Sequence, residues 1–123
     1  MSHFTDVELE IKDLQALEDA CKEMGFELVR NTTARYYYGS KQADIVIKLS
    51  GKYDMTVEKS ENGYKLQADW YDGHVARCVG QNADLLKQNY ATHVAMRMAR
   101  KKGYRVQRRN LQNGKVELIL GVR

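Results

Sequence analysis

The sequence has 123 residues, of which 43% are hydrophobic and 29% are charged, proportions that are ordinary for a globular domain. No apolar run approaches the roughly 20 residues that a membrane-spanning helix needs, and the start lacks the features of a secretory signal. Only two cysteines are present, Cys21 and Cys78, which favours free thiols in a reducing compartment. We therefore expect a single domain over residues 1–123, located in the cytoplasm and without a membrane segment.

Charge is distributed unevenly along the chain. Residues 1–72 hold nine Lys/Arg and 14 Asp/Glu, a balance of −5, whereas residues 73–123 hold 11 Lys/Arg and two Asp/Glu, a balance of +9. Such asymmetry suggests an anionic partner for the second half. Neutralising the negative end of a helix accounts for about three of the seven cations between Arg97 and Arg109, and not for all of them.

The first 30 residues predict a helix between two strands. From His3 to Ile11 apolar and polar residues alternate, as in a strand with one solvated face. Asp13 can cap a helix that ends at Gly25. The apolar residues of this helix recur at helical spacing: Leu14, Leu17, Cys21 and Met24. Phe26–Arg30 then predicts a second strand.

Residues 31–70 predict further strands. The stretch 31–42 is the least regular, and Arg35–Gly39 suits either a short edge strand or an exposed loop. Strands are predicted over Ala43–Leu49, over Tyr53–Val57 and, after a turn at residues 60–63, over Tyr64–Trp70.

The second half predicts a long helix followed by a hairpin. Residues 71–81 read as an irregular connection, because Gly73 and Gly80 argue against a helix there. The next helix, with Asn82 as its N-cap and Gly103 after its end, shows apolar residues every four positions: Leu86, Tyr90, Val94 and Met98. Alternating strands then flank an Asn113-Gly114 turn.

These elements follow the order β-α-β-(β)-β-β-β-α-β-β. No strand–helix–strand unit repeats often enough for a doubly wound parallel sheet. The fold class that we predict is α+β, with a single curved, mainly antiparallel sheet and two helices on one of its faces.

Several short blocks of the sequence are shared with a known family. They are Met1–Phe4, Ala43–Lys48, Tyr53-Asp54, Asn62–Tyr64 with Ala68-Asp69, Tyr90-Ala91, and Gly103-Tyr104 with Val106. On these blocks the chain resembles a family of conserved hypothetical reading frames from chloroplast and cyanobacterial genomes, a domain of unknown function that also occurs in bacteria and phages. The resemblance spans nearly the whole chain and implies no catalytic residues. For a plastid-encoded chain it would imply the plastid stroma as location.

The sequence contains few of the motifs that are typical of catalytic or cofactor-binding sites. His74 and Cys78 would meet only on a helix, and no CxxC, HExxH or phosphate-binding glycine motif occurs. Cys21 lies on an apolar helix stripe and reads as a core residue. We therefore predict no catalytic residue, no metal site and no cofactor.

The cations of the second half form the candidate binding site. Helical spacing places His93, Arg97 and Arg100 on one flank, and strand alternation places Arg105 and Arg109 on one face. The full candidate set for binding a partner or nucleic acid is His93, Arg97, Arg100, Lys101, Lys102, Arg105 and Arg109.

Two further features bear on the partner. The segment Arg35, Tyr36, Tyr37 and Tyr38 offers a cation and aromatic rings that can stack on bases. Leu85, Thr92 and Met96 lie on the otherwise polar helix face and hint at a protein partner.

The leading hypothesis is a non-catalytic binding or adaptor module that docks an acidic protein partner through the basic half. The alternative is an RNA- or DNA-binding module, and a small enzyme is the third hypothesis. The oligomeric state is not predicted.

Overall fold

A computed structural model describes residues 4–122, without the side chain of Phe4; His3, the expected first residue of the first strand, lies outside this range. Within these residues, seven strands and three α-helices follow one another in the order β1 (Phe4–Ile11), α1 (Leu14–Glu23), β2 (Glu27–Tyr36), β3 (Gly39–Lys48), β4 (Met55–Ser60), β5 (Gly63–Asp69), α2 (His74–Val79), α3 (Asp84–Lys101), β6 (Tyr104–Asn110) and β7 (Val116–Val122). The predicted α+β class is confirmed.

Five strands form an antiparallel sheet in the order β1-β5-β4-β3-β2. One face of this sheet carries the core, because alternate residues such as Ile45, Val57 and Leu66 are buried there against α1 and α3. Leu17 and Cys21 of α1 and Tyr90 of α3 belong to the same core. Both long helices therefore cover the same face, as predicted.

The C-terminal hairpin does not join this sheet. Strands β6 and β7 pair only with each other over the described residues, from Tyr104 with Val122 to Asn110 with Val116. The prediction of a single sheet is therefore wrong for this hairpin, which we call the ribbon. The ribbon packs instead against α3, because that helix has a second apolar flank to bury.

The side chains that α3 buries differ from those that the sequence predicts. A repeat of four residues drifts by about 40° per step around a helix of 3.6 residues per turn. The stripe that begins buried at Leu86 and Tyr90 therefore ends at Met98, which is 53% exposed. Thr92 and Met96, expected to face a partner protein, are buried. The predicted burial of Met98 and exposure of Met96 are both wrong, since a helix with two packing partners buries a wide arc.

The connection after β5 contains a helix that the sequence did not predict. Its glycines lie at the ends of α2, where Gly73 has φ +73° and Gly80 has φ +89°, so they delimit the helix and do not break it. Val75 and Val79, one turn apart, are fully buried in the core. The N-cap of α3 is Ala83 and not the expected Asn82.

The β2–β3 hairpin covers the second face of the sheet. β2 has neither β4 nor β5 as a neighbour, yet the Arg35 carbonyl accepts from Asp54 N at 3.0 Å, and Tyr37 N donates to Asp69 Oδ2 at 2.8 Å. The far half of the hairpin must therefore fold back across the sheet. It accounts for the burial of Val46 and Thr56, which point away from the helices.

Asp54 fixes this folded hairpin. Its buried carboxylate accepts from Arg35 N and Nε, both at 3.0 Å, from Arg35 Nη2 at 2.7 Å and from Leu49 N at 3.1 Å. Burial disfavours the charged carboxylate, but these hydrogen bonds outweigh it and hold the pKa of Asp54 below its usual value.

Gly63 provides a test of the sheet register. A Cβ at this position would lie 2.3 Å from the Ile11 carbonyl oxygen, a backbone atom that cannot move aside. We expect Gly63→Ala to lower the free energy of unfolding by about 2–3 kcal/mol, from this clash together with the strain of positive φ. The measurement is urea denaturation followed by circular dichroism.

Gly39→Ala is the matched control, because Gly39 also has positive φ but meets nothing within 4 Å. It should cost about 1 kcal/mol from strain alone. Equal losses for the two variants would contradict the close packing of Gly63 on β1.

Candidate binding surface

The seven candidate side chains lie on α3 and on the ribbon, and two of them hold the fold together. His93 Nε2 lies 2.9 Å from Glu23 Oε1, and Arg97 Nε donates to Asp13 Oδ2 at 2.8 Å. Glu23 and Asp13 lie at the two ends of α1. These contacts therefore fasten both ends of α1 to α3.

Asp13 uses its two carboxylate oxygens for different contacts. Its Oδ1 accepts from Ala16 N at 3.0 Å and so caps α1, while Oδ2 holds Arg97. Burial raises the pKa of Asp13, but the bonds from Arg97 and Ala16 N, with the positive charges of Arg97 and Lys101, outweigh it, so the pKa lies below the usual value. Beside it, Tyr90 Oη accepts from the backbone amides of Lys12 and Asp13 at 3.1 and 3.2 Å. The start of α1 is thus fixed on α3 by side chain and backbone.

Glu23 also binds a cation that is not in the candidate set. Arg108 Nη2 donates to Glu23 Oε2 at 2.9 Å, and Arg108 Nη1 pairs with Glu23 Oε1. The Arg108 bonds, opposed by burial and assisted by His93, hold the pKa of Glu23 below its usual value. Strand alternation could have found this residue, since Arg108 shares a strand face with Val106, and both are half-buried whereas Arg105 and Arg109 on the other face are exposed.

Arg109 makes a pair within the ribbon. Its Nη2 donates to Glu117 Oε1 at 2.7 Å across the two strands. Both side chains are exposed, so this pair contributes little to stability. It does, however, balance the charge of Arg109 locally.

Four candidate cations remain without such a partner. Within residues 4–122 no carboxylate lies within ion-pair distance of Arg100, Lys101, Lys102 or Arg105. All four are exposed, three in the last turn and C-cap of α3 and one just after it in β6. We call these four residues the cationic corner.

A shallow groove of about 290 Å³ lies beside the cationic corner, between α3 and the ribbon. Its lining is mostly apolar: Ala95, Met98, Ala99, Lys102, Tyr104 and Leu120. We call this the apolar groove. Lys102 belongs to both features, so an exposed apolar surface and an unbalanced positive charge adjoin each other.

In the predicted stacking segment, Arg35 is separated from the tyrosines by its contacts. Arg35 is bound to the buried Asp54, and its aromatic neighbours form a separate cluster around the turn. The ring of Tyr37 lies 4.6 Å from that of Tyr38 and 4.3 Å from that of Tyr71, measured between centroids. Tyr37 and Tyr38 are exposed, whereas Tyr36 is half-buried.

The structure buries one of the two thiols and places the other beside a serine hydroxyl. Burial, with a smaller contribution from Glu18, raises the pKa of Cys21 to about 12, which makes it an inert core thiol. His74 and Cys78 do share α2, contrary to expectation, but His74 Nδ1 lies 2.9 Å from Arg77 Nη2 and Cys78 Sγ lies 3.6 Å from Ser50 Oγ. Among residues 4–122 no group of three or more metal-ligating side chains converges.

Comparison with known proteins places the chain in a family. Residues 20–119 match a family described as protein of unknown function, DUF1257. The chain belongs to the DUF1257 family. The resemblance to a domain of unknown function is thereby confirmed. No curated protein and no solved structure matches the chain.

Within residues 4–122 of this DUF1257 member, no helix combines the length and the apolar character of a membrane span.

Two single substitutions separate paired from unpaired cations. Arg97→Ala should lower the free energy of unfolding by about 1–3 kcal/mol, because Asp13 then loses its partner in a partly buried site. Lys101→Ala should change it by less than about 0.5 kcal/mol, because that side chain is exposed and unpaired. Urea denaturation measures both. Equal effects would show that the Asp13–Arg97 contact does not fasten α1.

The lowered carboxylate pKa values predict acid sensitivity. Asp13, Glu23 and Asp54 have lower pKa values folded than unfolded, so the unfolded chain binds their protons first as pH falls. Their stabilisation is complete above the ordinary carboxylate values and is lost as pH falls through the folded values. Unfolding free energy should therefore decline steeply below about pH 4.5.

Glu23→Gln tests the origin of that decline. The variant should be less stable at neutral pH but should show a shallower loss between about pH 4.5 and pH 3, since one linked proton is gone. The measurement is urea denaturation across that pH range. An unchanged slope would show that Glu23 titrates alike in the folded and unfolded chain.

Proposed function

We propose that this protein is a non-catalytic binding module that docks an acidic partner protein through the cationic corner. A cytoplasmic location is part of the proposal. The observation that carries it is the division of the basic residues. Arg97, Arg108 and Arg109 form ion pairs with carboxylates of the chain itself, whereas among residues 4–122 no such pair involves the four cations of the corner.

The helix end does not account for this surplus. The C-terminus of α3 is equivalent to roughly half a negative charge, and three corner cations lie in or next to the last turn with a fourth just beyond. The remaining positive field would attract an anionic surface and speed encounter with it. That attraction should weaken as salt shortens the Debye length to about 8 Å at physiological strength.

Nucleic-acid binding is the second candidate, favoured by the exposed tyrosine cluster. Tyr37 and Tyr38 present rings to solvent, and stacking on rings tolerates any base. Two observations weigh against it. The guanidinium of Arg35 is bound to Asp54, and the buried Asp69 holds the backbone of Tyr37. The cluster thus lies beside carboxylates, which repel phosphate. An enzyme is the third candidate.

The test uses defined anionic probes. Affinity is measured by fluorescence anisotropy for a polyglutamate peptide and for polyuridylate RNA, at low and at physiological salt. The doubly reversed variant Lys101→Glu, Lys102→Glu should bind polyglutamate at least about tenfold more weakly than the wild type, because local charge is reversed. Its melting temperature should be nearly unchanged.

The matched control is Lys52→Glu with Lys59→Glu, two exposed lysines remote in sequence that give the same net charge. This control should lose less than about twofold in affinity. Equal losses in the two double variants would attribute binding to net charge and reject the corner. Tighter binding of RNA, abolished by Tyr38→Ala, would establish the second candidate instead.

A further inference from the structure

We infer that the apolar groove accepts the apolar face of an acidic amphipathic helix from the partner protein. This inference rests on the proposed function and adds the form of the partner to it. It starts from side chains that the fold leaves uncovered. Met98 is 53% exposed and Leu120 is 49% exposed, although both are large and apolar.

The exposed apolar residues here are not scattered. Met98 and Leu120 come from different elements, α3 and β7, yet line one groove with Tyr104 of β6. Single exposed apolar residues are normal on a protein surface, whereas a contiguous set rimmed by charge marks an interaction site. Methionine is also flexible enough to adapt to different apolar partners.

The dimensions of the groove suit two turns of helix. Its lining on α3 runs from Ala95 to Lys102, which spans roughly 10 Å along the helix axis. Apolar side chains at positions i and i+4 of a partner helix lie roughly 6 Å apart, so that two of them fit within this length. Ala95 and Ala99 have short side chains, which leave room for a partner to approach α3.

The charge around the apolar groove determines which charged residues the partner helix should carry beside its apolar residues. Lys102 lines the groove, Lys101 precedes it in the chain, and no carboxylate is among the lining residues. A partner helix with Asp or Glu beside its apolar stripe would therefore meet complementary charge, whereas a basic helix would be repelled. Helix-in-groove recognition of this kind combines apolar anchoring with charge selection.

The experiment compares three synthetic peptides of about 18 residues, long enough to form helix. The first places leucines at i, i+4 and i+7 among glutamates, the second scrambles the same composition to destroy the apolar face, and the third replaces the glutamates by lysines. Affinity for wild-type protein is measured by fluorescence anisotropy. The first peptide should bind at least about tenfold more tightly than either of the others.

Two surface variants locate the binding. Met98→Gln and Leu120→Ser should each reduce affinity for the first peptide several-fold and leave affinity for the scrambled peptide unchanged, with melting temperatures close to wild type because both side chains are exposed. In methyl-labelled protein the Met98 signal should shift on binding. The buried Met96 is the internal control and should shift much less.

The outcomes separate this inference from the proposed function. Equal, salt-sensitive binding of the first and scrambled peptides, both lost on reversal of Lys101 and Lys102, would reject the groove and retain the cationic corner. Failure of every acidic probe would reject both. Self-association of the wild type that Met98→Gln abolishes would show that a second copy of the chain occupies the groove, and would overturn the inference.

Discussion

The structure depends on the fixation of α1 at both of its ends. Asp13 caps the helix and binds Arg97 of α3, and Glu23 binds His93 of α3 together with Arg108 of the ribbon. Apolar packing of α1 on the sheet would leave its position along α3 loosely defined, because such contacts are not directional. Hydrogen bonds between charged groups are directional, and they set the relative placement of α1, α3 and the ribbon.

A second pair of carboxylates organises the opposite face of the sheet. Asp54 and Asp69 are buried, and they accept hydrogen bonds from the backbone of the folded-back hairpin at Arg35 and Tyr37. Buried carboxylates are costly unless they are satisfied by donors. The donors here are the backbone amides of Arg35 and Tyr37, which bond to these carboxylates and not to a neighbouring strand. The carboxylates and the amides thus satisfy each other's hydrogen-bonding capacity, and the hairpin shields the sheet face opposite to α1 and α3.

The proposed function follows from what remains after these internal contacts. Asp13 and Glu23 of the acidic first half pair with Arg97 and Arg108 of the basic second half. The four exposed cations of the cationic corner form no ion pair within residues 4–122 and so leave a positive surface at the end of α3. The apolar groove has a similar origin, since the stripe of α3 drifts out of the core at Met98. Charge and apolar surface meet there because Lys102 lies beside Met98, Tyr104 and Leu120 in the lining of the groove.

The sequence by itself determined the α+β class and most element types, though not the short helix α2, because the periods of α1, α3 and most strands are strong local signals. It also determined that the second half is basic. Only the tertiary structure decided which cations are free, since Arg97 and Arg100 look alike until Asp13 is placed next to one of them. It likewise decided that the ribbon leaves the sheet and that Met96, not Met98, is buried. Periodicity shows that a helix or strand has an apolar face to bury, but the element that buries this face comes from a distant part of the chain.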